Sequence, residues 1–355
     1  MFPCIEINLL KLKHNTKVIC DMCKKADINV WGVTKCICAM PEAAQAMIDG
    51  GAICIGDSRV ENLKKLKNIN CKKVLLRIPM ACEADDVIRY SDLSLNSELS
   101  TLKSLGEAAK KAGKKHDVVI MIDLGDLREG ILPKDADGFV KEALKIEGIK
   151  IAGFGVNLTC YGGVIPDENN LKELVDISLK LNEKYDLGIK IISGGNSSSL
   201  YLLADGKMPH GINNLRLGES ILLGRETSFQ TRIYNTYDDV FILKAKIVEL
   251  KEKPSIPTGN IGKDAFGNTP SFKDKGIRKR AIIAAGRQDI EPLNIHSIDD
   301  ENIRVIGASS DHTIVDVTDS KEDYKVGDIL SFKMDYGCLL KAFTSDYVKK
   351  IIIDK

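Results

Sequence analysis

The chain carries no charge excess: 51 lysines and arginines face 50 aspartates and glutamates among 355 residues. Binding to a polyanion needs a basic face, so nothing in the electrostatics points to nucleic acid. No apolar run reaches the ~20 residues needed to span a bilayer. The opening MFPCIEINLLKLKHNTK has neither a signal-peptide core nor a cleavage site. The ten cysteines follow no framework spacing, and Cys20-x-x-Cys23 has no second metal-like pair, so those two read as ordinary helix residues. A reduced, cytoplasmic protein is the expectation.

What is present is a rhythm. Short apolar runs at 29–34, 52–57, 73–79, 92–96, 117–124, 150–158, 190–193 and 214–218 alternate with longer amphipathic stretches. Those at 41–49, 97–112 and 169–184 place apolar residues three and four apart, the spacing of one helix face. Eight such units predict a closed (β/α)8 TIM barrel, with a doubly wound open sheet as the competing arrangement. After Thr227 the helical periodicity fades. Alternating strands at 240–249, 279–284, 303–307, 313–317 and 329–333 then predict a smaller all-β C-terminal domain. The expected boundaries are a barrel over 10–232 and a β domain over 233–355, joined by the N-terminal strand 1–9. The lysine-rich stretch 64–73 reads as a solvated helix face and loop.

Barrel enzymes keep their chemistry at the carboxyl ends of the strands. Lys35 directly follows the first strand. Partly shielded from water there, its amine would lose proton affinity and could condense with a carbonyl to give a Schiff base. A surface lysine capping a strand end is the plainer alternative in so lysine-rich a chain. Strand seven ends in Ser193-Gly194-Gly195-Asn196-Ser197-Ser198-Ser199, and strand eight in Leu215-Arg216-Leu217-Gly218-Glu219. Glycines admit backbone amides close to an anion, while serine hydroxyls and a following helix start add donors. A turn with a helix cap is the ordinary reading of such a run. Its place after strands seven and eight, where barrels of this class gather phosphate, favours a phosphate site.

These pieces together resemble the fold-type III pyridoxal-phosphate enzymes, the alanine racemase superfamily, and within it the alanine/ornithine racemase group. Val33-Thr34-Lys35 is similar to the strand whose lysine carries the cofactor. Gly56-Asp57-Ser58-Arg59-Val60-Glu61-Asn62 resembles the second-strand motif of the single-domain members, which marks Arg59. Asp123-Leu124-Gly125-Asp126-Leu127-Arg128-Glu129-Gly130 resembles the motif whose arginine, here Arg128, reaches the cofactor's phenolic oxygen. Asn196, Ser197 and Ser198 match the phosphate-binding tract, and Arg216 with Gly218 the arginine that faces the pyridine nitrogen. The resemblance implies pyridoxal 5'-phosphate on Lys35, an amino-acid substrate and a homodimer with composite active sites. The implied reaction is interconversion of L- and D-ornithine by two-base proton transfer at Cα. A guanidinium keeps its proton, so Arg216 would leave the ring nitrogen unprotonated and favour racemisation over transamination.

In the alanine racemases the second acid/base is a tyrosine in a Gly-Tyr-Ala-Asp motif. The matching Ala285-Gly286-Arg287-Gln288-Asp289 has none. Tyr336 and Cys338 are the replacements, each usable as a base only with a lowered pKa, which Arg287 could supply. Asp289, Asp311 or Asp335 could take the distal ammonium of ornithine. The segment around Asp311-His312 and Tyr336-Gly337-Cys338 also resembles metal-binding segments of the D-threonine aldolase and D-serine dehydratase branch. Tyr336 replaces a metal histidine there, so no metal is expected. A non-catalytic pyridoxal-phosphate carrier and a metal-assisted D-amino-acid lyase are the alternative functions.

Overall fold

The computed structural model describes residues 2–354. It divides into two compact units: Leu9–Tyr237, and the N-terminal strand together with the chain from Asp238 onward. These divisions fall one and five residues from the boundaries expected after residues 9 and 232.

The first unit is a closed barrel of eight parallel strands. They are Asn29–Val33, Cys54–Asp57, Lys72–Leu75, Leu93–Asn96, His116–Met121, Ile149–Gly155, Ile191–Ser193 and Asn214–Leu217. Closure is explicit: the first strand pairs with the second and also with the eighth. This rules out the open sheet. Alternate residues of successive strands, among them Trp31, Cys54, Val74, Leu95 and Met121, form one buried cluster. Leu75 faces the other way and packs with Val60, Leu63, Val87 and Leu105 of the helices. Period-two burial on both faces explains why the strands read as continuous apolar runs.

Local chemistry sets the helix limits. Pro41 opens Pro41–Asp49 at a position whose N–H would have no helical partner. Asp167 and Asn170 cap Glu168–Tyr185 reciprocally, at 2.8 and 2.9 Å. Asn15, on the first helix Leu9–Lys24, donates to the carbonyls of Ile221 and Tyr237 and accepts from the Tyr237 N–H. Those bonds pin the start of the barrel unit to its end. Cys20 and Cys23 lie on this helix as ordinary packed residues, their thiols pushed up to about 12 by burial.

The second unit is a mixed, mostly antiparallel sheet around the long strand Phe241–Pro254. That strand pairs with Cys4–Asn8, Ile277–Ile283 and Ile329–Met334. Three features go beyond the expected strands: Ile295–Ser297, Lys349–Asp354 and the helix Tyr336–Thr344. Lys349–Asp354 pairs in parallel with Cys4–Asn8, a partner at the far end of the sequence that no local pattern reveals. Tyr336–Thr344 follows a strand and buries only Cys338, Leu339, Ala342 and Phe343, too short a stretch for periodicity to declare itself.

Candidate active site

Lys35 starts a tight turn, Lys35–Ile37, at the carboxyl end of the first barrel strand. Its neighbour Thr34 is fully buried, whereas Lys35 itself is exposed. The partial shielding expected from the sequence is therefore not supplied by the barrel: the packed interior ends between these two residues. The end of strand eight lies beside this one. A Cβ on Gly218 would come 3.2 Å from Cβ of Val33, so glycine lets the two strand ends meet.

Loop seven is tied to loop eight by serines. Ser197 Oγ donates to Ser220 Oγ at 3.0 Å and accepts from the Ser220 N–H at 3.1 Å. Asn196 Oδ1 accepts from the Ser198 N–H at 2.8 Å, and its amide donates to Asn157 Oδ1 and the Leu158 carbonyl. Gly195 holds φ at +111°, where a side chain would also press on Ser199 Oγ at 2.8 Å. The Ser198 hydroxyl is wholly buried and has no hydrogen-bond partner. A buried hydroxyl without a partner costs about 1–3 kcal/mol. A phosphate accepting from it would remove that cost, so the tract fits an anion. The helix after it is only Leu200–Ala204, so side chains and loop amides, rather than a helix dipole, dominate this cradle.

Arg216 is buried on strand eight. It donates to Ser193 Oγ at 2.6 Å, to the Val156 carbonyl at 2.7 Å and to Asn157 Oδ1 at 3.4 Å. Burial lowers its pKa to about 10, with the nearby Glu129 acting in the opposite direction. It remains a cation at neutral pH. Arg128 lies in a loop shaped by two aspartates. Asp123 accepts from the N–H groups of Gly125 and Leu127, and Asp126 from those of Tyr161 and Gly162. Arg128 is half-exposed and pairs with Glu129 at 2.8 Å. Burial pushes the Glu129 carboxyl above the usual range, opposed by Arg128 and Arg216. Glu129 was not singled out from sequence, although its place beside Arg128 and the polarity of that loop were visible signals.

Arg59 is exposed, and its backbone N–H, not its guanidinium, donates to Asp57 at 3.0 Å. Asp57 is fully buried and accepts from the Thr34 hydroxyl at 2.9 Å. Lys65 is exposed, as expected of a solvated face, and its amine also reaches the Cys38 carbonyl and Asn62.

The β unit is less accommodating. Cys338 is fully buried in that unit's own core, and burial pushes its thiol up to about 12. That is the reverse of what a base requires. The Arg287 guanidinium stands 4.6 Å over the Phe266 ring, and the cation that opposes the burial of the thiol is Lys341. Tyr336 is half-buried at the start of its helix. Asp289 is buried and accepts from Ser345 Oγ at 2.7 Å, and Asp335 meets His296 at 3.2 Å. Asp311 is the most exposed of the three, at 66 % of its side chain.

Comparison with known proteins completes the picture. The family described as "Alanine racemase, N-terminal domain" matches residues 7–226. The chain is 52 % identical over 354 residues to an ornithine racemase of Acetoanaerobium sticklandii, covering 99 % of this chain and 100 % of that one. It is 38 % identical to a lysine racemase of Thermotoga maritima, covering 99 % and 98 %. Among solved structures, an alanine racemase of Bartonella henselae with covalently bound pyridoxal phosphate superposes with a TM-score of 0.71. That match has 17 % identity and covers 99 % of each chain.

Proposed function

Because the chain belongs to the alanine racemase family, we propose that it is a pyridoxal-phosphate-dependent amino-acid racemase interconverting L- and D-ornithine. The observation that carries this is the full-length likeness to an ornithine racemase. The buried, unpartnered Ser198 hydroxyl beside Asn196 and Ser197 supports it from within the barrel.

When bound, pyridoxal phosphate makes the Cα proton of an amino acid acidic. The residues that would hold it are Lys35 at the aldehyde and Asn196, Ser197 and Ser198 at the phosphate. Gly218 and Arg59 would also line it, with Arg216 facing the ring nitrogen and Arg128 the phenolic oxygen. Lys35 then moves the proton at one face of Cα. Arg216, cationic and fixed by Ser193 and Val156, offers no proton for the ring to keep. A second residue serves the opposite face. Tyr336 is put forward for that role ahead of Cys338, whose thiol is too buried and too weakly acidic. Asp311, as the most exposed carboxylate of its set, is put forward for the distal ammonium.

We also place the protein in the cytoplasm as a homodimer with composite sites. Every cysteine in the structure is a free thiol, and no described helix is long and apolar enough to cross a membrane. Leu127 and Tyr161 are 70 % and 75 % exposed on the loops after strands five and six, which Asp126 links. Such exposed apolar side chains suit a protein interface. A chiral assay with ornithine, lysine, alanine and serine tests the whole reading. Ornithine should be converted fastest, and an inert result across all four would favour a carrier.

A further inference from the structure

The turn that carries Lys35 is held with more care than a strand end requires. It runs Lys35–Ile37 and finishes in two left-handed residues, Cys38 at φ 50° and Ala39 at φ 53°. Residues with a Cβ stand in that region only where their surroundings hold them. The turn closes on itself, because the Thr34 carbonyl accepts from the N–H groups of Ile37 at 3.0 Å and Ala39 at 3.2 Å.

It is also gripped from outside at both ends by one chain of side chains. At the near end the Thr34 hydroxyl donates to Asp57 Oδ2 at 2.9 Å. Asp57 Oδ1 accepts from Asn62 Nδ2 at 3.0 Å. Asn62 Oδ1 accepts from Lys65 Nζ at 2.9 Å, and the same Nζ donates to the Cys38 carbonyl, the far end of the turn, at 3.0 Å. The circuit Thr34–Asp57–Asn62–Lys65–Cys38 thus encloses the backbone of Lys35.

This arrangement is costly as mere scaffolding. Asp57 is fully buried, and burying a carboxylate costs several kcal/mol unless donors surround it. Burial does push its carboxyl above the usual range, while Asn62, Thr34 and the Arg59 and Ser58 amides oppose that. Lys65 gives up the freedom of a long side chain to complete the ring. A lysine amine on four rotatable bonds gains little from a fixed backbone unless its delivery to one point matters, since a small misplacement of a reacting group can cost about 10²-fold.

We propose that Asp57, Asn62 and Lys65 are positioning residues that fix the turn presenting the Lys35 amine. This rests on the reading of Lys35 as the reactive amine, and the test separates the two. Full-length protein freed of cofactor is treated with pyridoxal and cyanoborohydride. The amine adds to the aldehyde with loss of water, hydride from the reagent reduces the C=N bond, and peptide mapping locates the tag. Wild type should tag Lys35 well ahead of its other lysines. Asp57→Asn and Thr34→Val should slow tagging at Lys35 about tenfold or more, with the other lysines unchanged. Lys65→Met, which removes only an exposed side chain and should leave the fold intact by circular dichroism, should slow it about threefold. Thr34→Ser, which restores the hydroxyl, should return it to near the wild-type rate. Selective tagging in wild type with undiminished rates in all these variants would overturn the positioning role. Tagging of Lys35 no faster than other lysines in wild type would overturn the premise and this inference with it.

Discussion

The two units differ in where their polar side chains gather. At the barrel's carboxyl end, buried polar groups bind one another across strands. Arg216 joins Ser193, Ser197 joins Ser220, and Asp57 joins Thr34. In the β unit the candidate groups each meet a separate partner elsewhere in that unit: Asp289 holds Ser345, Asp335 meets His296, and Arg287 covers Phe266. A parallel barrel brings eight strand ends to one place whatever the loops contain, so chemistry collects there. A mixed sheet with turns at both ends has no such focus.

Substitutions sharpen that contrast, and the largest effect should come from the barrel. Lys35→Ala should lower racemisation at least about 10⁴-fold, measured by chiral chromatography. Retention of more than a few per cent of activity would remove Lys35 from the chemistry. Tyr336→Phe should slow Cα proton exchange from one enantiomer of ornithine by about 10²-fold or more and leave the other nearly intact. Equal effects on both enantiomers would assign Tyr336 to packing.

Stability effects follow. Arg216→Met leaves the Ser193 hydroxyl and the Val156 carbonyl without their donor, which should cost roughly 2–4 kcal/mol in denaturant titration. A loss below about 1 kcal/mol would mean that the network relaxes around the gap. His116, buried against Ser94, has its pKa lowered to about 4 by burial and by the Lys114 charge. A lowered folded pKa means stability that is full above the ordinary value of 6.5 and is lost as the pH falls toward 4. The contribution is on the order of 3 kcal/mol at most. It should appear as a fall in the urea midpoint between those pH values that His116→Gln lacks. The smallest effect belongs to Cys338→Ala, about 1–2 kcal/mol of stability with exchange from both enantiomers unchanged.

The same contrast explains what could be read in advance. The barrel strands were legible because each is a short apolar run bounded by helix starts, and Lys35, Ser197 and Arg216 stood out as candidates because they fall at the end of a strand or in the loop just after it. Glu129 was passed over because an acid next to an arginine reads as an ordinary pair. The role of Lys65 was hidden by its lysine-rich neighbours, since no local pattern shows that one of them turns back to Cys38. In the β unit, Cys338 looked available as a thiol. The helix Tyr336–Thr344 buries it, and a nine-residue helix does not announce which face is inside.

Proton exchange at Cα is the most direct test of a racemase with one base in the barrel and another in the β domain. Incubated with L-ornithine in deuterated water, the enzyme should form D-ornithine that carries deuterium at Cα, at a rate that depends on both Lys35 and Tyr336. Ornithine recovered without deuterium and without inversion would contradict it.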